Sequence, residues 1–187
     1  MNQARRLMAI AAFLAASVFL NPFQAAKAQA FGAEKPLDVV TRVDLKRYSG
    51  QWFEIARYPN RFQKDCVSDA TATYSLRKDG RIDVVNSCRR KDGRLKTARG
   101  TAEVVDAKTN AKLKVTFFWP FSGDYWVIDL DPDYRYAVVG EPGRKYLWIL
   151  SRAPRLDETE YQKILVKIRN AEYEPERLMK TAQSSTN

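Results

Sequence analysis

Eight short segments of alternating or apolar character follow one another, at residues 51–58, 68–76, 82–88, 96–105, 112–118, 125–130, 136–139 and 146–151, with no helical pattern between them. Turn-forming pairs separate most of them: Asp79-Gly80, Asp92-Gly93, Ser122-Gly123, Asp131-Pro132 and Pro142-Gly143. Short strands in unbroken succession pair with their sequence neighbours, which favours an antiparallel up-and-down arrangement. A sheet of this size removes its unpaired edges by closing, and a closed barrel of eight strands can hold one small ligand. The expected fold class is therefore all-β, an eight-stranded antiparallel up-and-down β-barrel.

One helix is expected after the last strand. Asp157 is placed to cap it with Glu160 at the third position, and Tyr161, Ile164, Leu165 and Ile168 recur at helical spacing. Its apolar stripe predicts packing against the outside of the barrel. The opposite face carries both Glu158 and Lys163, unlike the uniformly basic face of a membrane-surface helix. Past Leu178 the stretch from Thr181 to Asn187 is polar, and residues 179–187 are expected to form a disordered tail.

Arg5 and Arg6 precede the apolar run 7–20, and Ala28-Gln29-Ala30 supplies small residues before Phe31, so residues 1–30 read as a cleaved signal peptide. The remainder, 31–178, has the size of one domain. Basic residues outnumber acidic ones by 32 to 22, a formal charge of +10. The leader holds Arg5, Arg6 and Lys27 and no acidic residue, which leaves +7 on the exported protein. Such an excess suits anionic lipid or plain solubility, and export argues against nucleic acid as a partner.

Cys66 and Cys88 are the only cysteines, and in an oxidising compartment they read first as a disulfide. With Asp79-Gly80 as a two-residue turn the two are out of direct register, so a bulge or a longer loop is required. The chain has no histidine, which removes the commonest general base and metal ligand together. No metal-ligand spacing surrounds the cysteines, and no cofactor or metal site is expected. Glu54 and Asp129 could act as an acid/base pair only if both faced inward, and carboxylates so far apart in sequence are more often unrelated. Catalysis is not expected.

Two further segments answer each other. Gly50-Gln51-Trp52-Phe53-Glu54-Ile55-Ala56-Arg57 begins the first strand, and Leu147-Trp148-Ile149-Leu150-Ser151-Arg152 ends the last, with Trp148, Leu150 and Arg152 on one face. An arginine on an apolar face needs hydrogen bonds or an aromatic plane, and Trp52 is the partner available. This pairing resembles the lipocalin family, in which a Gly-x-Trp on the first strand and an Arg on the last meet at the closed end of the barrel. The family's middle motif has a match in Asp131-Pro132-Asp133-Tyr134-Arg135-Tyr136-Ala137-Val138-Val139. Within the family the chain is most similar to the bacterial lipocalin and apolipoprotein D branch, over roughly residues 40–178. The resemblance implies a lipocalin calyx, Trp52 and Arg152 as its structural floor, and a short helical turn at 43–48 covering that floor. Many bacterial relatives are outer-membrane lipoproteins. This chain lacks a cysteine near the cleavage region, so it is expected to be soluble in the periplasm, peripheral to the outer membrane at most.

With Trp52 and Arg152 setting the inward phase, Trp148 and Leu150 should line the interior. Apolarity chooses the faces of the middle strands: Ala70, Ala72 and Tyr74; Ile82, Val84 and Asn86; Ala98, Gly100 and Ala102; Leu113, Val115 and Phe117. Tyr125 and Val127 are placed inward by the resemblance. Small residues on neighbouring strands would leave a cavity, or would admit a large facing side chain. Asn86 and the Tyr125 hydroxyl are the expected polar contacts of a largely apolar site.

Alternate loops of such a barrel share one end. Those after the first, third and seventh strands bring Arg61 and Lys64, then Arg89, Arg90, Lys91 and Arg94, then Arg144 and Lys145 to the open mouth, beside the aromatic loop 118–123. Arg61, Arg89, Arg90 and Arg144 are the expected head-group contacts of an acidic amphiphile. An anionic membrane surface or a merely solubilising face would suit the same pattern. The expected function is storage or transport of a lipid, fatty acid or lysophospholipid, in the cell envelope by a monomer or homodimer. An enzyme acting on a hydrophobic substrate and a tetrapyrrole or pigment carrier remain open beside it, since the absence of histidine disfavours haem ligation but leaves tyrosine.

Overall fold

The computed structural model describes residues 35–184. The expected signal peptide lies outside them. Eight strands run in chain order: β1 (Gly50–Arg57), β2 (Cys66–Leu76), β3 (Ile82–Arg90), β4 (Leu95–Val104), β5 (Lys112–Phe118), β6 (Phe121–Leu130), β7 (Tyr136–Gly140) and β8 (Leu147–Ser151). Each pairs antiparallel with its neighbours, and β1 pairs with β2 (Trp52 opposite Ala72) and with β8 (Phe53 opposite Ser151), which closes the barrel. The expected fold class is the one observed.

The barrel has a layer inside and a layer outside. Trp52, Tyr74, Val84, Leu113, Val127, Val139 and Leu150 belong to the inner cluster. The outer faces of β1, β7 and β8 bury Ala56, Tyr136, Val138, Leu147 and Ile149 against Tyr161, Ile164 and Ile168 of helix α2 (Glu158–Asn170). Residues of β7 are accordingly buried on both faces. Asp157 caps α2 by accepting from the Glu160 amide, as its sequence predicts. Near the helix end Lys167 donates to Asp129 and to the Tyr136 hydroxyl; burial alone would lower its pKa, but these bonds raise it to about 12.

A first, short helix, α1 (Leu45–Tyr48), closes the floor. The Asp44 carboxylate caps it, the Asp44 amide donates to the Tyr134 hydroxyl, and the Val43 amide donates to the Thr109 carbonyl. Floor coverage by residues 43–48 thus rests on hydrogen bonds to two of the bottom loops.

Three elements differ from expectation or refine it. The hairpin between β2 and β3 starts with Leu76 opposite Ile82, and two register shifts toward the mouth bring Cys66 opposite Arg90. Those bulges permit the Cys66–Cys88 bridge, with Cα atoms 5.6 Å apart. Strand β6 begins at Phe121, so Ser122-Gly123 pairs with Thr116 and Val115 inside the ladder, and the hairpin turns at Trp119-Pro120 instead. Proline there terminates the ladder because it has no amide to donate.

The expected disorder from residue 179 onward is corrected for 179–184. Beyond Phe53 and Thr71 the strands β1 and β2 part, leaving backbone groups of β1 without a ladder partner. A ninth strand, β9 (Met179–Lys180), pairs with Ala56 and Arg57 in that gap. Thr181 donates its amide to Ile55, Asp69 donates its own to Ala182, and the Gln183 side chain donates to the carbonyls of Glu54 and Ala70. Backbone pairing is indifferent to side-chain polarity, which is why a polar composition misread this segment.

Candidate ligand-binding site

The floor is built around Trp52, whose side chain is fully buried and whose Nε1 donates to the Tyr48 carbonyl at 2.8 Å. The Arg152 guanidinium lies 3.8 Å from the Trp52 ring centroid. It donates to the carbonyls of Gln51, Arg47, Ser49 and Tyr48, tying the end of α1 to the barrel. Gly50 is needed here: its φ is +97°, and a Cβ would stand 3.2 Å from Arg152 Nη1.

Above the floor the interior is occupied by a chain of hydroxyls. Tyr48 and Tyr125 share a hydrogen bond of 2.7 Å, and Tyr125 donates to Tyr74 at 2.9 Å. Burial raises all three phenols, Tyr74 to about 12. They therefore stay neutral and mutually bonded. The enclosed space beside them, bounded by Val43, Leu45, Ala102, Leu113 and Val127, has a volume of about 10 Å³, room for one water.

The mouth half differs in character. Small residues form part of its wall, Asn86 standing between Ala72 on one side and Ala98 on the other. The Asn86 Oδ1 is buried and accepts no hydrogen bond among the described residues. Phe117 lies over Gly100, where an added Cβ would approach the ring to 2.9 Å. So the small residues do admit a large side chain at that level. Trp148 is half-buried, donates to the Gln63 side chain at 2.9 Å, and stacks on Tyr146.

A buried ion pair sits beneath Gln63. Glu54 and Arg57 are 4% and 6% exposed, with Arg57 Nη1 donating to Glu54 Oε1 at 2.6 Å. The Thr181 hydroxyl donates to the same oxygen and accepts from Arg57, while Gln63 donates to Glu54 Oε2. The loop 58–65 thereby folds over the mouth, held also by Lys96, whose ammonium donates to the Phe62 carbonyl at 3.2 Å. Glu54 shares its face with Trp52 and was legible as inward by period two. Arg57 was not, because a register shift between Glu54 and Ala56 reverses the alternation.

Of the interior residues expected from the sequence, Ala70, Ala72, Tyr74, Val84, Ala102, Val127 and Leu150 are buried, and Val115, Phe117, Tyr125 and Trp148 pack on the inner cluster. The rim residues fare unevenly. Arg61 is exposed beside Phe62, Arg89 is exposed but paired with Asp69 at 3.1 Å, and Arg90 is partly buried at the end of β3. Arg144 is corrected: its side chain is only 13% exposed and is directed to the end of α2, donating to the Ala171 carbonyl and pairing with Glu172. Carbonyls at a helix end attract a cation more strongly than open solvent does. Glu54 and Asp129 do not meet, since Glu54 is inside and Asp129 is held outside by Lys167. Among the described residues no cluster of three or more His, Cys, Asp or Glu side chains could hold a metal ion.

Comparison with known proteins agrees with this architecture. A model of the lipocalin-like domain matches residues 43–183. Temperature-induced lipocalin-1 of Arabidopsis thaliana is 41% identical over 161 residues, covering 82% of this chain and 86% of that protein. The outer membrane lipoprotein Blc of Escherichia coli K12 is 48% identical over 128 residues, 68% of this chain and 72% of that one. The structure of insecticyanin from the tobacco hornworm Manduca sexta shares the fold, with a TM-score of 0.65 at 22% identity over 79% of this chain and 86% of that one. With its closed eight-stranded barrel, its Trp52–Arg152 floor and a family match that spans both, this chain belongs to the lipocalin family.

Proposed function

We propose that the barrel binds one single-chain amphiphile non-covalently, a fatty acid or a lysophospholipid, and stores or carries it in the cell envelope. The observation that carries this reading is the unpaired Asn86 Oδ1 on the small-residue wall. A buried acceptor without a donor is costly, and a ligand hydroxyl, protonated acid or amide would satisfy it. Each methylene buried beside it would add about 0.8 kcal/mol. Because tyrosines fill the floor half, the acyl chain belongs in the mouth half, against Trp148 and Phe117. Arg61 and Arg90 remain the rim cations available to an acidic head, with Arg89 shared with Asp69 and Arg144 withdrawn.

The reading is of a carrier and not a catalyst. Both Glu54 oxygens accept hydrogen bonds from its neighbours, which leaves it poorly placed to move a proton for a substrate. Export through residues 1–30 to the periplasm fits the Cys66–Cys88 disulfide. The relative named an outer membrane lipoprotein supports a place in the envelope.

Native mass spectrometry of protein isolated from its own compartment, followed by extraction of bound molecules, tests the reading. A stoichiometric adduct identified as a fatty acid or lysophospholipid is expected. Protein that carries no such adduct and takes up neither lipid on titration overturns it.

A further inference from the structure

We infer that the mouth end of the barrel is a docking surface for an anionic lipid bilayer, with the tip of the β5–β6 hairpin as the inserting element. Phe118, Trp119 and Phe121 are 78%, 89% and 77% exposed. They flank a single tight turn, Phe118 being paired with Phe121, so all three side chains project from one point. Soluble domains rarely present a cluster of aromatics to water, because the patch promotes association. The neighbouring loops at this end repeat the pattern: Phe62 is 53% exposed between β1 and β2, and Leu95 is 63% exposed at the start of β4.

Charge points to the occupant. Arg61 and Lys64 flank Phe62, and Lys91 and Arg94 precede Leu95, all exposed and on the same end as the hairpin tip. Aromatic side chains surrounded by lysine and arginine match the interface of a bilayer, where rings seat at head-group depth and cations meet lipid phosphates. Arg94 is shared with Asp92, but an apolar protein partner would bury Lys64 and Lys91 without a counter-charge. Docked in this way the mouth faces the membrane, and a lipid could pass between bilayer and barrel without crossing water. Docking does not depend on the identity of the ligand proposed above.

The test uses the full mature protein and sedimentation with vesicles of phosphatidylcholine alone or mixed with phosphatidylglycerol. Wild type is expected to sediment with the mixed vesicles and much less with the neutral ones. Phe118→Ser/Trp119→Ser/Phe121→Ser should weaken the association about tenfold or more, as loss of the buried apolar area requires, and Lys64→Gln/Lys91→Gln should weaken it in a salt-sensitive way. An unchanged melting temperature and an unchanged fatty-acid titration show that the tip variant is folded. Brominated acyl chains should quench wild-type emission more than that of Trp119→Phe. Equal sedimentation of wild type and the tip variant overturns the proposal, as does a wild-type dimer that the tip variant dissociates, which would make the tip an interface between copies. Docking by a protein that binds no fatty acid would overturn the carrier reading alone.

Discussion

The Glu54 carboxylate and the Arg57 guanidinium form an ion pair inside the barrel, 2.6 Å apart and both almost completely buried. Thr181, Gln63 and the Cys66 carbonyl complete its hydrogen bonds, so one pair joins β1, the mouth loop, β2 and the C-terminal segment. Removing one partner leaves the other charged and alone. Glu54→Gln is expected to lower unfolding free energy by about 3 kcal/mol, and Glu54→Gln/Arg57→Met to recover part of that loss. Urea titrations of the two variants check it. A double variant less stable than the single one by the full additive amount would show that the groups do not act as a pair.

Arg152 acts at the opposite end. Its guanidinium covers Trp52 and serves carbonyls that end α1. Arg152→Ala should cost about 1 to 3 kcal/mol through lost stacking and carbonyls left short of donors. Fatty-acid affinity of the folded protein should be unchanged, because Arg152 lies beneath the tyrosine layer. A denaturant midpoint equal to wild type would refute the structural role.

The C-terminal segment should respond to acid. The Ser184 amide donates to Asp69 at 2.6 Å and, with the Ser184 and Ser68 hydroxyls and Arg89, holds the Asp69 carboxyl at about 2 in place of 3.8. A carboxyl lowered by folding stabilises above its unfolded value, and that contribution fades as pH falls through the folded one. Protection of the Ser184 amide, taken relative to the intrinsic exchange rate at each pH, should therefore fall between about pH 4 and pH 2 before the barrel itself opens. In Asp69→Asn, which tolerates the left-handed backbone at this position, exchange should be faster at neutral pH and lack the acid step. Equal pH profiles for the two proteins would exclude Asp69 as the anchor.

Trp148 should report ligand entry. Its indole is bonded to Gln63 of the mouth loop and packs on the inner cluster, whereas Trp119 is exposed. Adding a fatty acid in the absence of vesicles should change emission in wild type and in Trp119→Phe, and by less than half as much in Trp148→Phe. An identical response from Trp148→Phe would place the ligand away from β8.

Much of this molecule follows from local sequence. Strand alternation, turn residues and the capped apolar stripe of α2 predict the barrel and its outer helix, because period two and period three-and-a-half are written within a few residues. The Trp52–Arg152 floor is legible for a related reason: an arginine in an apolar strand demands a partner, and only one suitable aromatic opens the first strand. The interior faces of β2, β3 and β8 follow from the same parity.

What the tertiary structure decided lies where local period fails. A register shift in β1 turns Arg57 inward beside Glu54, and no pattern within the strand announces it. Arg144 is drawn to helix-end carbonyls that are distant in sequence, and residues 179–184 pair with backbone groups freed where β1 and β2 diverge. The filling of the floor by Tyr48, Tyr74 and Tyr125 depends on three hydroxyls from separate elements meeting within hydrogen-bond distance. Side-chain type and spacing determine which face a residue prefers, whereas the free energy of long-range contacts determines which partner it finds there.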